Sequence, residues 1–335
     1  MLILTDLSEE VIAQLKALSP RLIVTKKVVG AAAEIDSERW AETDILYTTT
    51  ILPEPEAAPR LRWIQSHFAG VDALMGQPFF TARPDVTLTT TSGIHASSMA
   101  EFTFALILAF ARKLPTMVAL QKQAAWTADR FEHLMPIELR GATLGILGYG
   151  SIGRGIARLA AAFGMSILAT KRDVKHTTPA NTYEEPTIGN GDMPYVDRLY
   201  PPEATRSMLS LCDFIVVALP LTPETRGVVN AEMFAAMKRS AIFINVARGG
   251  IVDEAALIAA LQNGQIAGAG LDVFAQEPLP PRSPLWAMDN VIVSPHVSGN
   301  YAGYGAKAGA VFVENMRRYL NKSELLNQVD VAKGY

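Results

Sequence analysis

Short apolar runs recur along the chain, separated by stretches in which apolar residues return at helical spacing. The first series is LILT (2–5), ILYTT (45–49), LRWIQS (61–66) and VTLTTT (86–91), with helical stretches between them such as Glu9 to Leu18. Strand and helix taking turns in this way predicts parallel sheet with helical crossovers. A long helix is expected from Ser97 or Ser98 toward Trp126, with Glu101 in its first turn and Pro115 kinking or interrupting it. A second series follows: TLGILG (143–148), a helix to about Gly164, MSILAT (165–170), DFIVVALP (213–220), AIFINVA (241–247), IAGAGLDVF (266–274) and VIVSPH (291–296). Val311 to Tyr319 reads as a helix that returns to pack elsewhere. The pattern predicts two α/β lobes, the second inserted into the first. Residues 1–97 and 299–335 would form one and residues 98–298 the other.

Residues 174–202 break the rhythm. VKHTTPANTYEEPTIGNGDMPYVDRLYPP is rich in Pro, Thr, Asn and Gly and reads as a long surface excursion.

Composition narrows the class. The chain has 335 residues, 49% of them hydrophobic, and a net charge of −3. With no dense Lys/Arg block, binding to nucleic acid or an anionic membrane is not expected. Phe102 to Ala111, the most apolar run, is shorter than the roughly 20 residues a bilayer span needs. MLILTDLSEE lacks a basic leader and reads as a first strand, so a cytoplasmic location is expected. Cys212, the single cysteine, excludes an intrachain disulfide and a Cys-based zinc site and reads as a buried small hydrophobe. No metal site is expected.

The chemistry begins at LGILGYGSIGRGIARLAAAFGMSILAT, where Gly148, Gly150 and Gly153 have GxGxxG spacing between a strand and a helix. A second strand arrives where a βαβ unit requires it. The backbone N–H groups of Ser151 and Ile152 would then hold a pyrophosphate at the helix N-terminus. The second strand ends ATKRD. Lys171, 18 residues beyond Gly153, takes the place where NAD enzymes carry an acid for the ribose, and Arg172 follows. Two cations suit a 2′-phosphate, so NADP is favoured over NAD, with Asp173 as the residue through which NAD would still bind.

Three later strands end in ionisable groups: AIFINVARGG in Arg248, GLDVFAQEP in Asp272 and Glu277, VIVSPHVSG in His296. Ligands in open parallel sheets sit outside the carboxyl ends of strands, so these groups are expected in one crevice. The set fits reduction of a 2-oxo acid. His296 would donate a proton to the oxygen that becomes an alkoxide, Glu277 would hold the other ring nitrogen, and Arg248 would grip the substrate carboxylate or carbonyl. Gly249-Gly250 would let the chain turn around the arginine.

In GYGSIG, PLTPETRG, NVARGGIVDE, GLDVFAQEP and SPHVSG, and in SGIHASSMAEFTFALIL, the chain resembles the D-isomer-specific 2-hydroxyacid dehydrogenase family, which includes glyoxylate/hydroxypyruvate reductases and phosphoglycerate dehydrogenases. The intervals of 29 residues from Arg248 to Glu277 and 19 from Glu277 to His296 also fit. The resemblance implies two Rossmann/flavodoxin-like lobes with parallel sheets and NAD(P)-dependent interconversion of small 2-oxo and D-2-hydroxy acids. Arg248, Glu277 and His296 would be catalytic. Asp272 would hold the nicotinamide carboxamide, Val246 and Ala247 would lie along the cofactor, and Leu219 and Pro220 would flank its adenosine end. In SHFAGVD, the amides of Ala69 and Gly70 would bind the substrate carboxylate. A homodimer through the cofactor lobe, with the helix near 98–126 contributing, is also implied. Three departures stand out: Lys171-Arg172 replace the usual Asp, His67-Phe68 stand where small residues are frequent, and the 174–202 segment is long. Met75, Trp126 and Trp286 are read as packing residues. Two other readings use the same features: a dinucleotide-sensing corepressor-like protein, and oxidation of an inorganic or one-carbon acid on the same fold.

Overall fold

Alternate residues of each strand serve opposite faces of a sheet, and both faces are covered. This is visible in a computed structural model that describes residues 1–174, 181–184 and 195–331. The chain divides into two units, one of residues 1–95 with 301 onward and one centred on residues 96–300; residues 181–184 group with the first.

The first unit holds strands β1 (Leu2–Ile3), β2 (Thr25–Lys26), β3 (Ile45–Thr48), β4 (Trp63–Ser66) and β5 (Thr87–Thr89), all parallel, in the order β2-β1-β3-β4-β5. Leu2, Leu46, Ile64 and Leu88 enter one core cluster and Ile3, Ile45, Tyr47 and Trp63 the other. Each such side chain, buried, contributes about 1.5–3 kcal/mol relative to exposure. The helix Glu9–Leu18 starts on Ser8, whose hydroxyl accepts from Val11 N, and buries Val11, Ile12 and Leu15. The helix Tyr304–Leu320 closes the same face with Phe312 and Met316.

The second unit holds β6 (Thr143–Leu147), β7 (Ser166–Thr170), β8 (Arg198–Tyr200), β9 (Phe214–Val217), β10 (Ile242–Asn245), β11 (Gly268–Leu271) and β12 (Val291–Val293). The sheet is parallel throughout, in the order β12-β11-β10-β9-β6-β7-β8. Strand order reverses between β6 and β9, which puts a ligand crevice at their carboxyl ends. The two parallel α/β units expected from the pattern are therefore present. Two strands the pattern did not show are β2 and β8. The second lies inside the 174–202 stretch read as a surface excursion, where Tyr200 is buried and pairs with Thr170.

The long helix is two helices, Ala96–Ala111 and Leu114–Lys122, bent by 64°. Lys113 adopts φ +56 at the break, and Pro115 sits in the first turn of the second helix, where its missing N–H costs nothing. Gly155 lets the first of these approach the helix Ser151–Ala162: a Cβ there would stand 2.8 Å from the Ala96 carbonyl oxygen. Among the described residues no single helix is long and apolar enough to cross a membrane. Cys212 is fully buried, and burial pushes its thiol up to about 12. Trp126 and Trp286 depart from the packing reading, at 87% and 54% exposure.

Residues 181–184 belong to the connection between β7 and β8 yet lie on the first unit. Asn327 N donates to Asn181 O at 2.8 Å, and Tyr183 N donates to Asn327 Oδ1 at 2.8 Å. Tyr183 packs against Ile94, Ala308 and Val311, and its carbonyl fills the space a Cβ would need at Gly93, where φ is +100. The rest of the excursion lies outside the described residues.

Candidate active site

β6 runs directly into the glycine-rich turn. Gly148 has φ +101, and a Cβ there would meet the Ala218 carbonyl oxygen at 2.6 Å, so only glycine fits. A Cβ on Gly153 would stand 2.4 Å from the Gly148 carbonyl oxygen, so the helix seats directly on the turn. Gly150 is different. It caps the helix Ser151–Ala162, no side chain caps that helix, and the space where its Cβ would be is open. The first-turn amides of Ser151 and Ile152 and the positive end of the helix dipole thus fit a dinucleotide pyrophosphate.

The end of β7 is tied to this turn. Gly148 N donates to Thr170 Oγ1 at 3.2 Å and Tyr149 N to Thr170 O at 3.0 Å. Lys171 and Arg172 therefore emerge beside it. Burial, reinforced by the Arg154 guanidinium and partly offset by Asp173, lowers the Lys171 pKa. Leu219, half-buried, and Pro220, exposed, follow the Ala218 carbonyl that faces Gly148 and so border the same turn.

Arg248, Glu277 and His296 leave the adjacent strands β10, β11 and β12. Val246 and Ala247 are buried ahead of Arg248. Asn245, a residue the sequence reading passed over, shapes this corner: its Oδ1 accepts from Ala247 N and its Nδ2 donates to Arg248 O, both at 3.1 Å. An asparagine closing an otherwise apolar run marks the position in the sequence, but not the amide and carbonyl it holds. Arg248 is half-buried, and its Nη1 donates to Ala247 O at 2.8 Å. Gly249 opens a 3-10 turn, Gly249–Ile251. Its lack of a side chain serves close packing rather than an unusual turn: a Cβ would fall 1.9 Å from the Phe274 carbonyl. The loops after β10 and β11 are thus in backbone contact.

Glu277 accepts from Phe274 N through Oε1 at 3.0 Å and meets His296 Nδ1 through Oε2 at 2.7 Å. The imidazole is 46% exposed. Its backbone has φ +55, a left-handed conformation uncommon for any residue but glycine. Asp272 stabilises it. The Asp272 carboxylate is fully buried and accepts from Ser294 Oγ at 2.7 Å, Val297 N at 2.9 Å and Ser298 N at 2.9 Å. Three of a carboxylate's roughly four acceptor positions are therefore used within the chain, a role that motif reading alone did not reveal.

In the first unit, the loop after β4 carries Ala69 and Gly70. Among the described residues their amides make no hydrogen bond, while the neighbouring carbonyl of His67 accepts from Thr91 Oγ1 at 2.9 Å and Tyr304 Oη at 2.6 Å. His67 Nδ1 lies 2.7 Å from the Tyr47 hydroxyl. Burial, with His95 adding to it, lowers the His67 pKa to about 4, so the ring is neutral. Phe68 beside it is exposed.

Comparison with known proteins follows the same lines. Residues 104–298 match the model of the D-isomer specific 2-hydroxyacid dehydrogenase NAD-binding domain. The chain is 36% identical over 308 residues to glyoxylate/hydroxypyruvate reductase B of Shigella flexneri, covering 89% of this chain and 85% of that protein. It is 36% identical over 293 residues to D-3-phosphoglycerate dehydrogenase of Methanocaldococcus jannaschii, covering 82% of this chain and 48% of the relative, so it spans about half that protein's length. A crystal structure of a D-isomer specific 2-hydroxyacid dehydrogenase from Xanthobacter autotrophicus Py2, in complex with NADPH and MES, superposes with a TM-score of 0.81 at 35% identity, covering 100% of this chain and 98% of that one.

Proposed function

Because the chain belongs to the D-isomer-specific 2-hydroxyacid dehydrogenase family and is an NAD(P)-dependent oxidoreductase of 2-oxo and 2-hydroxy acids, we propose that it reduces glyoxylate and hydroxypyruvate, with NADPH preferred. The observation that carries this reading is the His296 Nδ1–Glu277 Oε2 contact of 2.7 Å on a loop adjoining that of Arg248.

The amides of Ser151 and Ile152 would hold the cofactor pyrophosphate, and Lys171 with Arg172 the 2′-phosphate. Burial, with the Arg154 guanidinium adding to it, lowers the Lys171 pKa, and a phosphate bound there would offset both effects. When bound, the nicotinamide supplies or takes up the hydride. Arg248 presents its guanidinium to the substrate as a planar, permanently charged donor. By the family resemblance, the amides of Ala69 and Gly70 would bind the substrate carboxylate. Nδ1–H of His296 donates to Glu277, which leaves Nε2–H to deliver a proton to the carbonyl oxygen as it becomes a hydroxyl. In the oxidative direction the neutral ring takes that proton back, and Glu277 stabilises the resulting imidazolium.

The corepressor-like alternative is not favoured, since the relatives named are enzymes and the acid–base pair is assembled. A homodimer through the cofactor-binding unit is part of the proposal. Leu114, Met117, Val118, Trp126, Phe131 and Met135, all exposed within one stretch of chain, support this part of the proposal. Light scattering on the purified chain measures its mass directly, and a monomer would remove that part.

Cofactor oxidation with glyoxylate, hydroxypyruvate, pyruvate and phenylpyruvate, each with NADPH and NADH, tests the activity. Turnover of the first two with NADPH is expected. Absence of turnover in all eight combinations, despite cofactor binding, would reject the proposal.

A further inference from the structure

One side chain outside the catalytic trio ties the Arg248 loop to the Glu277 loop. Asp253 and Glu254 begin the helix that ends at Gln262, and they face different ways. Asp253 caps its own helix, Oδ1 accepting from Ala256 N at 3.0 Å. Glu254 reaches out of the helix, and its Oε2 accepts the amide of Ala275 at 2.9 Å, in the loop after β11. The preceding amide, Phe274 N, belongs to Glu277 Oε1. Successive amides are thus held by two different carboxylates, one of which is bonded to His296.

The backbone doubles this link. Gly249 rests against the Phe274 carbonyl and the Ala275 nitrogen, with its Cβ position 1.9 Å and 2.6 Å from them. The segment from Arg248 to Glu254 therefore grips the Phe274–Ala275 peptide twice, through the Gly249 backbone and through the Glu254 side chain. A carboxylate in a helix's first turn also gains from the helix dipole without touching another loop. The Ala275 bond goes beyond that role.

We propose that Glu254 is a positioning residue that fixes the Ala275 peptide, and through it the Glu277 carboxylate that orients the His296 ring. This rests on the reading of Glu277 and His296 as the acid–base pair. Charged groups at this corner include Asp253, Asp272, Arg248 and Arg226, whose Nη1 lies 3.2 Å from the Cβ position of Gly250.

Two substitutions separate reach from charge. Glu254→Asp keeps the charge at the helix start but is one methylene short of the Ala275 amide. Glu254→Gln gives up the charge but keeps an oxygen that can accept from it. Both are measured with glyoxylate and NADPH, alone and combined with Glu277→Gln, alongside NADPH affinity by fluorescence and thermal unfolding. We expect Glu254→Asp to lower kcat on the order of 10- to 100-fold, the scale of an ångström-sized misplacement, with KM and NADPH affinity within about twofold of the parent. Glu254→Gln should retain most of the activity. In the Glu277→Gln background, Glu254→Asp should remove little more, because residues acting through one another are not additive. Full activity in Glu254→Asp would overturn the proposal. So would a Glu254→Gln chain as impaired as Glu254→Asp, or an undiminished loss in the Glu277→Gln background. If Glu277→Gln and His296→Asn are themselves fully active, it is the underlying reading of the pair that fails.

Discussion

Asp272 holds His296 from two directions. Its main-chain carbonyl accepts the His296 amide at 2.9 Å, while its carboxylate takes the amides of the two residues that follow, Val297 and Ser298. The imidazole thus stands on a left-handed residue whose conformation is fixed by a buried anion. In Asp272→Asn one acceptor becomes an NH2 group facing a backbone donor. Leaving buried donors without acceptors costs about 1–3 kcal/mol each. The variant should melt earlier and lose kcat, and a variant equal to the parent in both would show that the carboxylate is dispensable to the loop.

His296→Asn should bind NADPH almost as the parent does and lose about 10²–10⁴-fold in kcat, the usual contribution of a general acid. Glu277→Gln should fall in the same direction by less, since the ring keeps a hydrogen-bond partner. Steady-state rates beside cofactor titrations check both. Near-parental turnover in His296→Asn removes the residue from the mechanism.

Lys171→Ala combined with Arg172→Ala should weaken NADPH far more than NADH. Adenosine 2′,5′-bisphosphate and 5′-AMP, titrated separately, isolate the phosphate contribution. Equal losses for both ligands would assign the two cations to solvent rather than to a 2′-phosphate.

Gly249 and Gly250 are neighbours with opposite tolerance. At Gly249 an added Cβ meets the Phe274 backbone at 1.9 Å, whereas at Gly250 it meets the ends of Arg226 and Leu221 at 3.2 Å and beyond. Gly249→Ala should cost about 1–3 kcal/mol or more, as overpacking does. Gly250→Ala should be nearly neutral, because flexible side chains can give way. Denaturant unfolding of the pair decides it, and similar midpoints would contradict the close packing.

His67 gives stability a pH dependence of known sign. Its pKa of about 4 in the fold lies below the value near 6.5 of an unfolded chain. Between these values the unfolded chain binds a proton that the folded one does not. Its contribution is therefore complete above about pH 6.5 and lost as pH falls toward about 4, with a slope of at most about 1.4 kcal/mol per pH unit. Melting curves from pH 7 to pH 4 should fall less steeply for His67→Gln than for the parent. Parallel curves would exclude His67 as a source.

Much of this was legible in the chain itself. Strands buried on both faces are written as apolar runs, so β3, β4, β9 and β10 were found inside runs that extend up to three residues beyond the strand ends. β2, with only Thr25 and Lys26, has no such signature, and β8 is hidden in a polar, proline-rich stretch. Arg248, Glu277 and His296 could be picked out as candidates because each follows a strand of one parallel sheet. The groups that hold them did not. Asn245, Glu254 and the acceptor role of Asp272 depend on which amides the loops present, and loop geometry leaves no periodic trace. Likewise the Gly249-Gly250 pair resembled a flexible turn, when Gly249 is excluded from bearing a side chain by a peptide 25 residues away.

The bond between Asn327 and Tyr183 sets a limit on how the gene can be cut. A fragment joining residues 1–95 to 301–335 would keep all five strands of its sheet but lack the segment that satisfies Asn327 and covers Ile94, Ala308 and Val311. The excised 96–300 piece would carry that segment away with an exposed tyrosine and nothing to rest it on. In an evolutionary exchange of one half for another, residues 181–184 would have to travel with the half they touch, not the half whose strands they lie between in sequence.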